Sequence, residues 1–183
     1  MKTKKLVLGG VLIGVNLLLP YLFHFIPQGG KLFLPMHIGV LIAGLLLGPV
    51  YGAVIGGIAP FLGFLINGMP QMPMAVYMMF ELIAYGAAAG LLMLLFQRLR
   101  LNRIAGIYLS LIGSMLVGRL VYAGVLLFSG LIQLDKAPAT ITVFTSFLAG
   151  IPGIVIQLVV VPAVVMAAGR LLQTGRREAE CQR

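Results

Sequence analysis

Acidic residues are scarce in this 183-residue chain, which contains only four of them. Charged residues of both signs make up 9% of the sequence, whereas a soluble domain has about 25%. The chain therefore lacks the polar surface that a water-soluble protein needs. Hydrophobic residues account for 61% of the sequence and predict an integral membrane protein instead.

Cysteine is nearly absent as well, since Cys181 in the polar tail is the only one. A single cysteine forms no intrachain disulfide and supports no metal or redox motif. His37 has no histidine, cysteine or carboxylate at metal-ligand spacing, so we expect no metal. The sequence also lacks a phosphate-binding loop and the serine- and zinc-hydrolase motifs. We therefore expect no cofactor and no enzymatic activity from this chain.

The formal net charge is +9, but the basic residues do not form the patch, interleaved with aromatic residues, that is typical of nucleic-acid binding. They flank apolar segments, as the positive-inside rule predicts for a membrane protein. We therefore expect a lipid bilayer, and no nucleic acid, as a partner of the chain.

Six apolar runs predict an all-α membrane protein with six transmembrane helices in one bundle. The predicted spans cover about residues 6–26, 34–47, 50–66, 74–96, 104–132 and 140–172, and a polar tail follows at 173–183. The whole chain, 1–183, is then a single domain. The first run reaches Phe25 without a clean cleavage site, so we expect an uncleaved span rather than a signal peptide. Pro152 and Pro162 are expected to bend or divide the sixth span.

An even number of spans places both termini on one side of the membrane, and we take that side to be the cytoplasm. The basic residues of the tails and connections then lie inside, except Lys31 and Lys136, which satisfies the positive-inside rule. Spans two and three are short, and a re-entrant pair is the alternative for them.

Glu81 and Arg119 are the charged residues inside the apolar runs. From the helical rise, they lie about 12 Å and about 20 Å from the outer ends of spans four and five. A charge at such a depth is costly and marks a functional site by default. The two residues either pair with each other or line a polar pocket that is open to the outside. Because a buried ion pair contributes little stability, we favour a binding role for at least one of them.

Six further polar residues are candidates for the same site. They are Tyr85, Tyr122, Gln157, His37, Asn67 and Gln71. Tyr85 shares a helix face with Glu81, since it lies four residues later. Tyr122 has a similar relation to Arg119. The alternative for these residues is a structural role, such as an interhelical hydrogen bond or a helix cap.

Small residues recur four positions apart, a spacing that lets helices approach closely in lipid. For the later glycine pairs we favour packing inside the bundle. For Gly10 and Gly14 in span one, packing inside the bundle and docking of another protein both remain open.

Five stretches and Pro162 carry a resemblance to a known family. The stretches read LPMHIGVLIAG (34–44), GPVYG (48–52), NGMP (67–70), FELIAYGAAAG (80–90) and IPGIVIQ (151–157). Their order, with the length of the chain and its six spans, resembles the substrate-binding S components of energy-coupling factor (ECF) transporters. The likeness is greatest to the branch that includes pantothenate, hydroxymethylpyrimidine and cobalamin carriers.

This resemblance implies the high-affinity substrate-binding subunit of an ABC-type importer in a prokaryotic cell membrane. Such a subunit captures a vitamin or vitamin precursor from outside and delivers it together with a transmembrane coupling protein and two ATPase subunits. By region, the family's site covers Glu81, Tyr85, Arg119, Tyr122, Gln157, Asn67 and Gln71, to which we add His37. The first helix of the family docks the coupling protein through an Ala-xxx-Ala face, and Gly10 and Gly14 occupy the matching place.

Pantothenate is the first candidate ligand, because the guanidinium of Arg119 can hold a carboxylate with two hydrogen bonds. If Glu81 neutralises Arg119, a neutral ligand is equally compatible. A different reading is a stand-alone, ion-coupled secondary transporter with Glu81 as proton carrier, although the spans show no clear inverted repeat. A third is an assembly protein without a ligand, which the charges at membrane depth disfavour.

Overall fold

The computed structural model describes residues 2–22, 33–68, 70–132, 148 and 150–181. Within these ranges the chain forms helices and turns but no strand, which confirms the predicted all-α class. The helices are α1 (Lys2–Leu22), α2 (Pro35–Leu47), α3 (Pro49–Asn67), α4 (Met74–Arg98), α5 (Arg103–Ile132) and α6 (Ile151–Cys181).

Five helices of the described part are long and apolar enough to cross a membrane, namely α1, α3, α4, α5 and α6. Their outward faces carry large apolar side chains, such as Leu6 at 68% and Leu120 at 72% exposure. An apolar surface of this extent is what contact with lipid requires. The chain is therefore a multi-pass membrane protein, as its composition predicts. The remaining helix of the described part, α2, has only 13 residues.

The short helix α2 lies at the centre of the bundle. It contacts each of the other five helices, and every residue from Pro35 to Leu47 except Leu46 is buried. A helix that is surrounded by protein does not have to match the thickness of the lipid. This position also allows α2 to present polar side chains to its neighbours without exposing them to the bilayer.

The predicted turn between spans two and three lies at Gly48 and Pro49. Gly48 has φ 105°, a left-handed value that favours glycine, and its N–H donates to the carbonyl of Gly44. Pro49 is the first residue of α3, where a missing N–H costs nothing. The chain therefore reverses direction within a single residue, which packs α3 against α2.

Glycines bring α3 and α4 into backbone contact. A Cβ atom on Gly86 would overlap the backbone of Gly52, and one on Gly56 would overlap the backbone of Leu82. Gly90 is in the same way close to Pro49. These later glycines thus pack inside the bundle, as the sequence predicts, and they hold α4 at a fixed distance from α2 and α3.

Two ends of the predicted spans cannot be compared with helix bounds, because they fall outside the described residues. The first span was expected to reach Ile26 and the sixth to begin at Thr140, but residues 23–32 and 133–147 lie outside the described part of the chain. The helix α6 continues through Pro162, so of the two expected effects, a bend or a division of the span, division at this proline does not occur. Pro152 is the second residue of α6, where a proline is tolerated.

Candidate functional site

Glu81 of α4 and Arg119 of α5 form an ion pair inside the bundle. The Nη1 atom of Arg119 lies 3.1 Å from Oε1 of Glu81, and the side chains are 15% and 3% exposed. The two atoms do not have the alignment of a hydrogen bond, so the contact is mainly electrostatic. The charged residues that the sequence singled out thus meet each other.

His37 and Tyr85 extend this pair to a cluster. The Nε2 atom of His37 lies 3.7 Å from the same Oε1 of Glu81. The imidazole also meets the ring of Tyr85 at a right angle, with 4.9 Å between the ring centroids and 89° between the planes. We call His37, Glu81, Tyr85 and Arg119 the polar cluster; α2, α4 and α5 contribute to it.

Several hydrogen-bonding groups of the polar cluster have no partner among the described residues. They are both ring nitrogens of His37, Oε1 of Glu81, and the Nε and Nη2 atoms of Arg119, all buried. Leaving a buried polar group unpaired costs about 1–3 kcal/mol, so native structures rarely tolerate several together. A ligand that accepts hydrogen bonds from Arg119, and that donates one to His37 and accepts one from it, would provide the missing partners of these two residues.

The start of α2 places His37 in this cluster. Leu34 takes a left-handed conformation (φ 47°, ψ 48°) directly before the helix, and its carbonyl accepts a hydrogen bond from the His37 N–H at 3.0 Å. The same carbonyl accepts a bond from Nε2 of Gln157 at 3.4 Å. Gln157 of α6 therefore fixes the beginning of the helix that carries His37.

Tyr122 lies one turn beyond Arg119 on α5 and is 3% exposed. Its hydroxyl donates to the Sδ atom of Met74, the first residue of α4, at 3.9 Å. This contact links α5 to the start of α4, one turn from the polar cluster along α5.

Asn67 and Gln71 were predicted in the connection between spans three and four. Asn67 is the last residue of α3, and its side chain lies outside the described part of the structure. Gln71 is exposed in the turn before α4, where its carbonyl accepts the N–H of Ala75 at 3.1 Å. The structure records no contact between Gln71 and the polar cluster.

Gly10 and Gly14 of α1 face away from the bundle. A Cβ atom on either glycine would meet nothing within 4 Å in the described part of the chain. Gly9, by contrast, faces the side chains of Leu47, Tyr51 and Ile55. Packing of Gly10 and Gly14 inside the bundle is therefore excluded for the described residues, and these two glycines form a shallow open surface.

Two features escaped the sequence reasoning. Asn16 is fully buried on α1, and neither atom of its amide has a hydrogen-bond partner among the described residues. Gly39 of α2 makes room for it, because a Cβ atom there would overlap the amide. A single polar residue within an apolar run was the available signal for Asn16. Gly118, which lies against the ring of Tyr85, had no signal in the sequence.

The comparisons with known proteins agree with this architecture. Residues 4–165 match the family model described as "ECF transporter, substrate-specific component". No curated protein and no solved structure matches the chain significantly. The match covers most of the 183 residues, including every member of the polar cluster. The chain belongs to the family of ECF transporter substrate-specific components.

Proposed function

We propose that this substrate-binding subunit of an ECF importer captures a carboxylate-bearing vitamin, with pantothenate as the first candidate. The observation that carries the proposal is that part of the Arg119 guanidinium has no hydrogen-bond partner among the described residues. Only its Nη1 atom meets Glu81, whereas Nε and Nη2 are buried without a hydrogen-bond partner in the described structure. These two atoms form one edge of the guanidinium, which matches the two oxygens of a carboxylate.

The ion pair itself favours a second candidate class. Glu81 and Arg119 together are neutral, so a bound carboxylate gives the cluster a net negative charge unless another group compensates it. A neutral ligand such as hydroxymethylpyrimidine avoids this cost and would use Nε and Nη2 of Arg119 as ordinary donors. The charge of the ligand is therefore the property that the first experiment has to decide.

The remaining predicted contacts surround the ligand in this proposal. His37 offers a donor and an acceptor on its two ring nitrogens, and Tyr85 provides an aromatic wall. Tyr122 and Gln157 belong to the helices α5 and α6 next to the cluster. The connection with Asn67 and Gln71 completes the binding region in this proposal.

In this proposal the chain crosses the membrane of a prokaryotic cell six times, and both termini lie in the cytoplasm. Support comes from the basic residues at the ends of the helices, such as Lys5, Arg98 and Arg103, which then lie on one side. The helix α2, with 13 residues, is the second span in this proposal, and the protein that surrounds it allows it to be shorter than the other spans. In this orientation the polar cluster is nearer the outside, where the substrate arrives.

The open glycines of α1 are the proposed docking surface for the transmembrane coupling protein. Gly10 and Gly14 are surrounded by exposed apolar side chains, including Val7 at 63% and Val11 at 56% exposure. Small residues in such a surface allow the backbone of another helix to approach closely in lipid. The coupling protein would bring two ATPase subunits, which supply the energy for transport.

Thermal unfolding of the detergent-purified chain with pantothenate and with panthenol tests the ligand class. Panthenol replaces the carboxylate by an alcohol and otherwise keeps the shape. We expect micromolar pantothenate to raise the melting temperature, because a ligand that binds only the folded state stabilises it. Panthenol should need at least 100-fold higher concentration, and the charge-neutral variant E81Q/R119Q should lose this difference.

Equal stabilisation by the two compounds would contradict the carboxylate assignment, and stabilisation by hydroxymethylpyrimidine instead would favour the neutral class. The ion-coupled transporter is tested in vesicles that contain only this chain. Uptake driven by a proton gradient and abolished in E81Q would support that alternative. Uptake that requires the coupling protein and ATP would support the ECF mechanism.

A further inference from the structure

The ring of Tyr85 lies directly on the backbone of α5 at Gly118. A Cβ atom on Gly118 would overlap Cδ2 and Cε2 of Tyr85 and would lie 2.9 Å from its Cγ. Tyr85 is 1% exposed, so the ring has little free space around it. The absence of a side chain at residue 118 is therefore what permits the observed position of the ring.

This ring belongs to the polar cluster. Tyr85 follows Glu81 by one helical turn, and its ring is perpendicular to the imidazole of His37. Gly118 directly precedes Arg119 on α5. A ring pushed away from α5 would therefore disturb the positions of His37 and of the groups around Arg119.

The other glycines of the bundle have different neighbours. Gly52 and Gly86 meet backbone atoms of the facing helix, so they serve the close approach of two helices. On α5, Gly113 meets only the flexible end of Leu92, and Gly124 meets nothing within 4 Å in the described structure. Gly118 is distinguished from them because it contacts a side chain of the polar cluster.

We propose that Gly118 is a positioning residue that sets the ligand affinity of the polar cluster through the ring of Tyr85. The inference rests on the proposed function, because it assumes that the ligand binds at this cluster. Any larger residue at 118 displaces the ring of Tyr85 from α5 and therefore changes the arrangement of the polar cluster in which the ligand is proposed to bind. Ligand affinity should therefore depend on residue 118, although this residue is expected to make no contact with the ligand.

A double-mutant cycle tests this inference. The variants are G118A, Y85L and G118A/Y85L, with G124A as the control on the exposed side of the same helix. The probe is whichever of pantothenate and hydroxymethylpyrimidine stabilises the wild type. Dissociation constants are measured by calorimetry, and the melting temperature of each ligand-free variant is recorded.

We expect G118A to weaken binding at least tenfold and to lower the melting temperature, while G124A stays within twofold of the wild type. In the Y85L background, G118A should change the affinity less than twofold, since the ring it displaces is gone. Equal effects of G118A in both backgrounds would overturn the inference, and so would unchanged binding by G118A. If the wild type binds no probe, the proposed function fails and this inference fails with it.

Discussion

Replacing Glu81 by glutamine leaves the buried guanidinium of Arg119 without its negative partner. At the observed 3.1 Å separation, the Coulomb attraction is about 5 kcal/mol for an effective dielectric constant of about 20. Solvation of the exposed 15% of the Arg119 side chain offsets part of this loss. We therefore expect E81Q to lower the free energy of unfolding by about 3 kcal/mol, the usual size for a broken buried pair.

The paired variant E81Q/R119M separates the loss of the ion pair from the cost of leaving one charge buried without a partner. Because both charges are removed together, we expect its unfolding free energy to lie within about 1 kcal/mol of the wild type. The measurement is denaturation in mixed micelles for the two single variants and the double variant. F80L serves as control, since Phe80 is next in sequence but 50% exposed.

Two results would refute this reasoning. Single variants that unfold like the wild type would show that the charges do not interact across α4 and α5. A double variant whose loss equals the sum of the two single losses would show that each residue has separate partners. The double variant should in addition be folded but unable to bind the ligand, which separates the structural from the binding role of the pair.

Three further variants test other parts of the structure. G10L should abolish ATP-driven uptake by the reconstituted importer without changing ligand affinity. The control G124L on α5 should leave uptake unchanged. Normal uptake by G10L would contradict the proposal that Gly10 lies in the docking surface for the coupling protein. Q157L should lower the free energy of unfolding by about 1 kcal/mol, measured by denaturation, because it removes the hydrogen bond to Leu34; an unchanged value would show that this bond contributes nothing. N16L should have a melting temperature equal to or higher than that of the wild type, because both amide atoms of Asn16 are unpaired in the described structure. A clearly lower melting temperature would show that Asn16 has an essential partner.

The sequence alone predicted the helical membrane class and singled out two residues of the polar cluster. Glu81 and Arg119 were recognisable because a charge inside an apolar run is costly and needs a reason. Helical periodicity also placed Tyr85 on the face of Glu81, one turn away. These inferences depend only on the spacing within one helix, which the sequence contains directly.

Contacts between helices could not be predicted in the same way. Periodicity does not say which residue of α5 faces Tyr85, and the answer, Gly118, follows from the angle at which α4 and α5 cross. The same holds for Gln157, whose partner is the backbone carbonyl of Leu34. A backbone acceptor has no signature in the sequence, so the pairing appears only after α2 and α6 are packed together.

The central position of α2 explains how a short helix can help to build the polar cluster. A helix that crosses lipid alone has to cover its length with apolar side chains, but α2 is enclosed by five neighbours. His37 therefore reaches Glu81 from inside the bundle, and Arg119 approaches the same carboxylate from α5. Because Glu81 meets only Nη1 of Arg119, Arg119 can pair with Glu81 and, in the proposed function, still offer Nε and Nη2 to a ligand. Substitution of Arg119 alone changes both properties at once, and only paired replacement with Glu81 can separate them.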